Sequence, residues 1–174
     1  MDAVLSTDAA EIRAADSVIL PGVGAAADAM ERLGRLGLAE LIPTLRQPVL
    51  GICLGMQLLA AGSEEDDAEC LGVIDQRAER LAQSPTLPVP HMGWNRVLKR
   101  PGSRLLEGVP DGAHFYFIHS YALPVADTTT GSTEYGTEFT AVFESGNFYA
   151  TQFHPERSSR QGATVLKNFL EIQP

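Results

Sequence analysis

Cysteine is scarce in this sequence, with only Cys53 and Cys70 among 174 residues. Two cysteines do not make a disulfide framework, so we expect a protein of the reducing cytoplasm. The sequence also lacks an apolar run of membrane-spanning length, which argues against a transmembrane helix. Its first residues have neither the basic region nor the apolar stretch of a secretory signal, so no leader is predicted.

Positive charge is in short supply as well, because 13 Lys and Arg stand against 22 Asp and Glu, for a formal net charge of −9. A nucleic-acid-binding protein needs a basic face for phosphate groups, so nucleic acid is not expected as the main partner. The length and the 44% share of hydrophobic residues are ordinary for one globular domain. We therefore expect a single domain over residues 1–174.

Two short apolar runs predict buried strands in the first third of the chain. Residues 17–20 read SVIL and stop at the turn-forming PGVG of residues 21–24, while residues 48–52 read PVLGI. A helical spacing of apolar residues follows each run. It is interrupted by breaks over residues 25–45 and is more regular over residues 54–61. This order of strand and helix predicts an α/β domain with parallel strands.

The second half of the chain predicts more strands and one closing helix. The acidic run SEEDDAE at residues 63–69 is typical of a solvated loop. Strands are expected at residues 96–99, 113–121, 138–143 and 147–153, and an amphipathic helix at residues 159–172.

The segment GICLG, residues 51–55, places Cys53 between a predicted buried strand and a predicted helix. A cysteine between two such glycines is the sulfur counterpart of a nucleophile elbow, in which a sharp turn presents the nucleophile at the carboxyl edge of the sheet. The helix that follows directs its positive end at the sulfur, which favours the thiolate. The alternative is a small buried cysteine of the core. Cys70 follows the acidic run and lacks such a setting.

A cysteine nucleophile needs a histidine base, and the sequence offers four histidines. His154 lies at the exit of the last predicted strand, and Glu156 follows where an extended chain directs both side chains to one side. The carboxylate could therefore orient the imidazole toward Cys53, although a surface histidine at a strand end is the alternative. His114 and His119 point to opposite faces of their strand and make a poor metal site, so no metal or cofactor is predicted.

Five motifs together carry a family resemblance. GICLGMQLL at residues 51–59 and QFHPE at residues 152–156 resemble the class I glutamine amidotransferases, in which Cys, His and Glu hydrolyse glutamine. PGVG at residues 21–24, PHMGWN at residues 90–95 and YFIHSY at residues 116–121 make the chain similar to the glutaminase subunits of imidazole glycerol phosphate synthase. PHMGWN is the most discriminating of the five.

The resemblance implies both a fold and a reaction. The fold would be flavodoxin-like, with a mixed, mostly parallel sheet and flanking helices. The reaction would release ammonia from glutamine without a cofactor. The ammonia would pass to a (β/α)8-barrel cyclase subunit that makes imidazole glycerol phosphate and AICAR in histidine biosynthesis.

Residue by residue, the resemblance implies four sets of site positions. The catalytic triad is Cys53, His154 and Glu156. The oxyanion hole is formed at Val23, Gly24 and Leu54. The substrate glutamine is held at Gly24, Gly55, Gln57, Ser120 and Tyr121. The cyclase partner is faced by Trp94, Asn95, Tyr116 and Arg157.

The sequence departs from the family at two places. Family members open with a strand, a D-x-G-x-G-N-like turn and a helix, and residues 1–16 supply none of these. We therefore expect the first strand and helix of the family fold to be lacking here, which would leave a sheet edge exposed. Arg157 stands where the family usually has Lys, which keeps the charge but changes its geometry.

Other functions remain open at this point. One is a glutaminase for another acceptor, such as the synthesis of anthranilate or carbamoyl phosphate, although PHMGWN and YFIHSY argue against it. Another is a partner-binding domain that has kept the fold without turnover, which the lacking strand favours and the intact triad disfavours. A cysteine-dependent redox protein would have no use for QFHPE.

Overall fold

A seven-stranded sheet and a smaller sheet of four strands organise the protein in a computed structural model that describes residues 3–173. The helices are α1 (Ala9–Ala14), α2 (Ala26–Arg35), α3 (Leu38–Leu41), α4 (Leu54–Leu58) and α5 (Ser159–Glu171), with 3-10 turns at Ile42–Thr44, Glu65–Asp67 and Pro155–Arg157. The strands are β1 (Val18–Gly22), β2 (Val49–Cys53), β3 (Ala60–Ser63), β4 (Ala68–Glu69), β5 (Ile74–Arg80), β6 (His91–Lys99), β7 (Ala113–His119), β8 (Tyr121–Ala122), β9 (Thr129–Tyr135), β10 (Thr137–Ser145) and β11 (Phe148–Thr151).

The large sheet is mixed, with strand order β1-β2-β11-β10-β9-β6-β7. Only β1–β2 and β2–β11 pair in parallel, whereas the four other pairings are antiparallel. The expectation of a mostly parallel sheet is therefore wrong for this chain. The reason is local, because tight turns at Gly136 and Gly146, both with positive φ, return the chain at once and force antiparallel hairpins.

The parallel part of the sheet positions the site. All five residues of β2 are buried, and the strand lies between β1 and β11. Cys53 at its end is level with Gly22 of β1, and Ile52 is level with Thr151 of β11. The carboxyl ends of the three strands therefore meet at one edge, which is where α/β sheets bind ligands.

Strand β1 is one of the two edge strands of the large sheet in the described residues. Residues 3–17 contain helix α1 and no strand, so the expectation that residues 1–16 supply no helix is wrong. Ile19 on this strand is 45% exposed, and Val4 and Leu5 ahead of it are 70% and 98% exposed. Ile19 is thus an exposed apolar side chain on a strand whose outer edge pairs with no other strand in the described residues.

The smaller sheet corrects the prediction for residues 54–61. Helix α4 ends at Leu58, and β3 begins at Ala60, so the last part of the predicted helix is a strand. β3 pairs with β5 in parallel and with β4 in antiparallel fashion. The pairing partners lie later in the chain, and their hydrogen bonds outweigh the local helical preference. The predicted solvated loop 63–69 contains a 3-10 turn and the short β4.

The two faces of the large sheet carry separate cores. Val49 of β2 packs with Met56 and Leu59 beside helices α2 to α4. Leu50, its neighbour, packs on the opposite face with Phe153 and with Phe169 of α5. This alternation is what a strand covered on both faces requires. Within residues 3–173, no helix is both long and apolar enough to cross a membrane.

Candidate active site

The turn from β2 into α4 is strained at Cys53. This residue has φ 52° and ψ −108°, a backbone conformation that non-glycine residues rarely adopt. The two flanking glycines allow close packing rather than unusual φ. A Cβ on Gly51 would lie 2.7 Å from the Gly55 carbonyl oxygen, and a Cβ on Gly55 would overlap the carbonyl oxygen of Leu20. The sequence pattern therefore does build a nucleophile elbow, and the strained residue is the cysteine itself.

The end of β1 approaches the elbow closely. A Cβ on Gly22 would lie 2.9 Å from the Gly55 nitrogen, so β1 and α4 can touch only because both positions are glycine. Gly24 has φ 97°, which favours glycine, and a Cβ there would meet nothing within 4 Å. Val23 and Gly24 thus form an exposed turn beside Leu54, the first residue of α4.

His154 is held by side-chain and backbone contacts at the exit of β11. Its Nδ1 lies 2.7 Å from Glu156 Oε1, and because a carboxylate only accepts, Nδ1 carries the proton and Nε2 is left as the basic atom. The His154 amide donates to the Tyr116 carbonyl at 2.9 Å. The hydroxyl of buried Ser158 donates to the His154 carbonyl at 2.7 Å. These contacts fix the ring on a rigid strand end.

The Cys53 side chain is a neutral thiol near pH 7. Burial, with a smaller contribution from the nearby Glu156 carboxylate, raises the pKa of Cys53 to about 11 against the lowering effects of the Leu54 amide and the Gln152 side chain. The Sγ atom donates to the Ile118 carbonyl at 3.7 Å. The expectation that the start of α4 makes Cys53 a thiolate is therefore wrong for this state. The Leu54 amide acts in the expected direction, but desolvation outweighs it.

A cavity of about 400 Å³ opens at this edge of the sheet. It joins residues at or after the ends of β1, β2 and β11 with residues at the end of β7, which lies at the opposite end of the strand order from β1. It is lined by Val23, Gly24, Cys53, Leu54, Gln57, Glu65, Pro90, Ile118, His119, Ser120, Tyr121, His154 and Arg157.

Most of the predicted glutamine-binding positions meet in this cavity. Gly24, Gln57, Ser120 and Tyr121 line it. Gln57 is buried in α4, and its Nε2 donates to the Tyr121 carbonyl at 2.8 Å. Gly55 is not among the lining residues, because it faces the backbone of Leu20.

Three of the four predicted partner-facing residues, Trp94, Tyr116 and Arg157, form one surface next to the cavity. Trp94 on β6 is 54% exposed and stands edge-on to Tyr116, with ring centroids 6.1 Å apart. The Arg157 guanidinium lies 4.6 Å from the centre of the Tyr116 ring, a cation–π contact. Asn95 turns to the other side of β6, where its Nδ2 donates to the Glu134 carbonyl at 3.0 Å.

Sequence reasoning missed two polar residues at the site. Glu65 lies in the acidic run that was predicted to be a solvated loop, yet its carboxylate lines the cavity and accepts from the Ala26 amide at 2.8 Å. Gln152 is fully buried, and its Nε2 lies 3.7 Å from Cys53 Sγ. The available signals were a carboxylate soon after the elbow helix and a glutamine two residues before the histidine.

Metal-binding chemistry finds little support in the described residues. His114 is exposed and His119 is buried, in keeping with opposite faces of β7. No group of three or more His, Cys, Asp or Glu in residues 3–173 is arranged to hold a metal ion. Cys70 packs at the border of the apolar cluster around Val49 and is not among the residues that line the cavity.

Comparison with known proteins agrees with this geometry. The family profile of glutamine amidotransferase class-I matches residues 3–172. The chain belongs to the class I glutamine amidotransferase family. The resemblance predicted from the motifs is thus confirmed at the level of the family.

Curated relatives that match nearly the whole chain include HisH subunits. The chain is 50% identical over 170 residues to "Imidazole glycerol phosphate synthase subunit HisH" of Yersinia pseudotuberculosis, an alignment that covers 97% of this chain and 86% of that protein. It is also 50% identical over 169 residues to the HisH subunit of Escherichia coli K12, with coverage of 97% and 86%. Within the class I amidotransferases, the chain therefore groups with the HisH subunits, as PHMGWN and YFIHSY predicted.

Solved structures support the fold. A crystal structure of a glutamine amidotransferase aligns with a TM-score of 0.73 at 18% identity and covers 98% of this chain and 86% of that one. The glutaminase domain of Trypanosoma brucei CTPS aligns with a TM-score of 0.65 at 16% identity, with coverage of 95% and 76%. At these identities the likeness concerns the fold alone, which confirms the flavodoxin-like α/β class with flanking helices.

Proposed function

We propose that this protein hydrolyses glutamine to glutamate and ammonia with Cys53, His154 and Glu156. The ammonia goes to a cyclase subunit that makes imidazole glycerol phosphate and AICAR in histidine biosynthesis. The 50%-identical HisH relatives support this assignment, since each is named as a subunit of imidazole glycerol phosphate synthase. Two free cysteines agree with a cytoplasmic location.

Acylation begins with transfer of the Cys53 thiol proton to His154 Nε2. The resulting thiolate attacks the side-chain amide carbon of glutamine, and the carbonyl oxygen takes up the negative charge. We assign donation to that oxygen to the amide of Leu54 and to the turn at Val23 and Gly24, all of which line the cavity together with Cys53. The intermediate collapses as the carbon–nitrogen bond breaks and the His154 imidazolium gives its proton to the leaving ammonia, which leaves a glutamyl thioester.

Deacylation uses the same histidine. Neutral His154 takes a proton from water, the hydroxide attacks the thioester carbonyl, and the second intermediate collapses to the side-chain carboxylic acid and the Cys53 thiolate. The carboxylic acid gives its proton to solvent and becomes glutamate. The imidazolium then returns its proton to the sulfur. Glu156 holds the ring in the correct tautomer throughout by accepting from Nδ1 at 2.7 Å.

The charges of the cavity suit an amino acid. Glutamine carries an α-ammonium group, and Glu65 is the acidic side chain among the residues that line the cavity, so we assign the ammonium group to its carboxylate. Gln57, Ser120 and Tyr121 border the remaining space and hold the rest of the substrate. Gly24 and Gly55 contribute backbone, Gly24 at the cavity and Gly55 by letting α4 approach β1.

The exposed surface of Trp94, Tyr116 and Arg157 is the proposed contact with a (β/α)8-barrel cyclase. An aromatic pair with a stacked arginine is a typical composition for the centre of an interface. Arg157 also lines the cavity, so a partner bound here would close the site near His154. Asn95 supports the surface from the other side of β6.

The observation that carries the proposal is the His154–Glu156 pair beside a cavity that also holds the strained Cys53. The test measures glutamate released from glutamine by the chain together with the cyclase subunit. Cys53→Ser should lower turnover by at least 1,000-fold, because the hydroxyl is a far weaker nucleophile here. Cys70→Ser is the matched control and should retain full turnover.

Labelling with 6-diazo-5-oxo-norleucine separates an enzyme from a partner-binding domain without turnover. This glutamine-like electrophile should modify Cys53 in the presence of the cyclase. A chain that binds the cyclase but is labelled neither with the cyclase present nor without it would overturn the enzymatic proposal. Stimulation by an anthranilate or carbamoyl phosphate synthase, instead of the cyclase, would assign the glutaminase to another pathway.

A further inference from the structure

Gln152 is a buried polar residue that takes no part in the proposed acylation and deacylation steps. Its side chain is fully buried at the exit of β11, two residues before His154. It does not line the cavity, so it is not placed to touch the substrate. A buried amide needs partners for both its oxygen and its nitrogen. Those partners are Gln57 and Cys53.

The direction of the Gln152 amide is fixed by its neighbours. The Tyr121 carbonyl can only accept, so the Gln57 atom 2.8 Å from it is Nε2. The same nitrogen lies 3.1 Å from Gln152 and donates its second proton there, which makes that atom Oε1. The Gln152 Nε2 must then face Cys53 Sγ, at 3.7 Å.

We propose that Gln152 is a further catalytic residue, whose side-chain amide donates a hydrogen bond to Cys53 Sγ and stabilises the thiolate that attacks glutamine. This inference rests on the proposed function of Cys53. In the thiol, the sulfur donates to the Ile118 carbonyl. In the thiolate that bond is lost, whereas a bond from an amide to a charged sulfur becomes stronger. The contact therefore favours the reactive form over the resting form, which is what catalysis requires.

A longer chain of hydrogen bonds holds the Tyr121 carbonyl in place. His119 Nδ1 donates to this carbonyl at 2.9 Å, and His119 Nε2 accepts from His91 Nδ1 at 3.0 Å. His91 Nε2 accepts from Asn95 Nδ2 at 3.3 Å. Each donor in this series has one acceptor, so a single set of neutral tautomers satisfies every hydrogen bond of the series. These histidines are positioning residues for the amide that reaches the sulfur.

The test compares Gln152→Glu and Gln152→Met with the unchanged protein. The Glu variant keeps the oxygen that accepts from Gln57 but replaces the donor with a second acceptor, and the Met variant removes both. We measure the rate of alkylation by iodoacetamide between pH 7.5 and 9 and resolve it by peptide mass spectrometry. Cys70 in the same molecule is the internal reference.

Below the pKa, the alkylation rate follows the thiolate fraction. Loss of a hydrogen bond to a charged group should therefore slow Cys53 on the order of 10-fold or more at each pH and leave Cys70 unchanged. With the cyclase present, kcat for glutamine should fall by a similar factor while KM stays close to its original value. Glu156 and the side chains of His154, His119, Glu65, Tyr121 and Arg157 in the cavity are the titratable groups near the sulfur. All remain in place in both variants, and because the Glu variant adds a carboxylate, the Met variant tests the lost donor without an added charge.

Gln76→Met is the matched control. Gln76 is partly buried, and its Nε2 donates to the Pro124 carbonyl at 2.8 Å. The control therefore makes the same substitution at another hydrogen-bonded side-chain amide. Unchanged alkylation of Cys53 in both Gln152 variants, with unchanged kcat, would overturn the inference. Absence of glutaminase activity in the unchanged protein would instead overturn the proposed function, since the alkylation rates do not depend on turnover.

A measurement on the unchanged protein covers the case in which both variants fail to fold. The side-chain amide signals of Gln152 in a ¹⁵N–¹H spectrum should move when Cys53 is alkylated, because the acceptor of their hydrogen bond is altered. The signals of Gln76 should stay in place. Gln152 signals that are insensitive to alkylation would refute the contact.

Discussion

The buried histidine pair His91 and His119 should make the fold sensitive to mild acid. Burial lowers the pKa of His91 to about 4. Burial likewise lowers the pKa of His119 to about 3, and the positive potential of the neighbouring histidines acts in the same direction. In an unfolded chain a histidine titrates near 6.5. Between that value and about 4, the unfolded chain takes up protons that the folded chain refuses, so stability is lost as the pH falls through this window.

The size of the effect follows from proton linkage. Between pH 8 and pH 5, a histidine that titrates at about 6.5 when unfolded and at about 4 or below when folded lowers the free energy of unfolding by about 2 kcal/mol. The pair together gives about 4 kcal/mol. Domains of this size are stable by only about 5–15 kcal/mol, so the loss should be plain in a denaturation curve.

The assay is urea denaturation at pH 8 and at pH 5 for the unchanged protein and for His91→Asn. Asparagine places an amide nitrogen near the position of the imidazole Nδ1, so it can still donate toward His119 while it cannot titrate. The variant should lose stability at pH 8 but should show a drop between pH 8 and pH 5 that is smaller by about 2 kcal/mol. His114→Asn, at an exposed position on β7, is the control. An equal drop in all three proteins would refute the reasoning.

Three further predictions concern the elbow, the cavity and the partner surface. Gly55→Ala should destabilise the fold by roughly 3 kcal/mol or more in thermal unfolding, because the new Cβ would overlap the Leu20 carbonyl. Gly34→Ala in helix α2 is the control and should stabilise the fold by about 0.5–1 kcal/mol, because a Cβ there would meet nothing within 4 Å. Glu65→Gln should raise KM for glutamine on the order of 10-fold with little change in kcat, and Asp66→Asn in the same exposed turn should change neither; a larger effect on kcat than on KM would argue against the ammonium contact. Trp94→Ala should weaken binding of the cyclase at least 10-fold by calorimetry without changing the urea midpoint, and equal binding would remove Trp94 from the proposed interface.

The features that the sequence predicts well are those encoded within a few neighbouring residues. The elbow at Cys53 follows from a buried run, two glycines and a helix start. The pairing of His154 with Glu156 was predicted from the period of an extended chain; the two side chains do lie 2.7 Å apart, but Glu156 lies in a 3-10 turn and not in an extended segment. Neither inference needs any knowledge of distant parts of the chain.

The features that the sequence does not predict depend on distant partners. Residues 60–63 form a strand only because β4 and β5 come to lie beside them, so a local helical pattern was misleading. In the sequence, Glu65 cannot be distinguished from the other residues of the acidic run. It lines the cavity because the folding of β3, which precedes it, places it there. The role inferred for Gln152 depends on Gln57 and Tyr121, whose positions no local spacing reveals.

The geometry of the nucleophile and its ionisation are separate properties of this site. The elbow fixes the position of Cys53, yet a pKa of about 11 leaves only about one thiol in several thousand ionised near pH 7.5. In the proposed mechanism glutamine enters as a neutral amide, and the thiolate forms by transfer of the proton to His154 within the occupied cavity. The pH dependence of glutaminase turnover should then report the coupled Cys53–His154 pair and should not rise toward the pKa of the isolated thiol. A kcat that increases steadily up to pH 11 would mean that His154 is not the base.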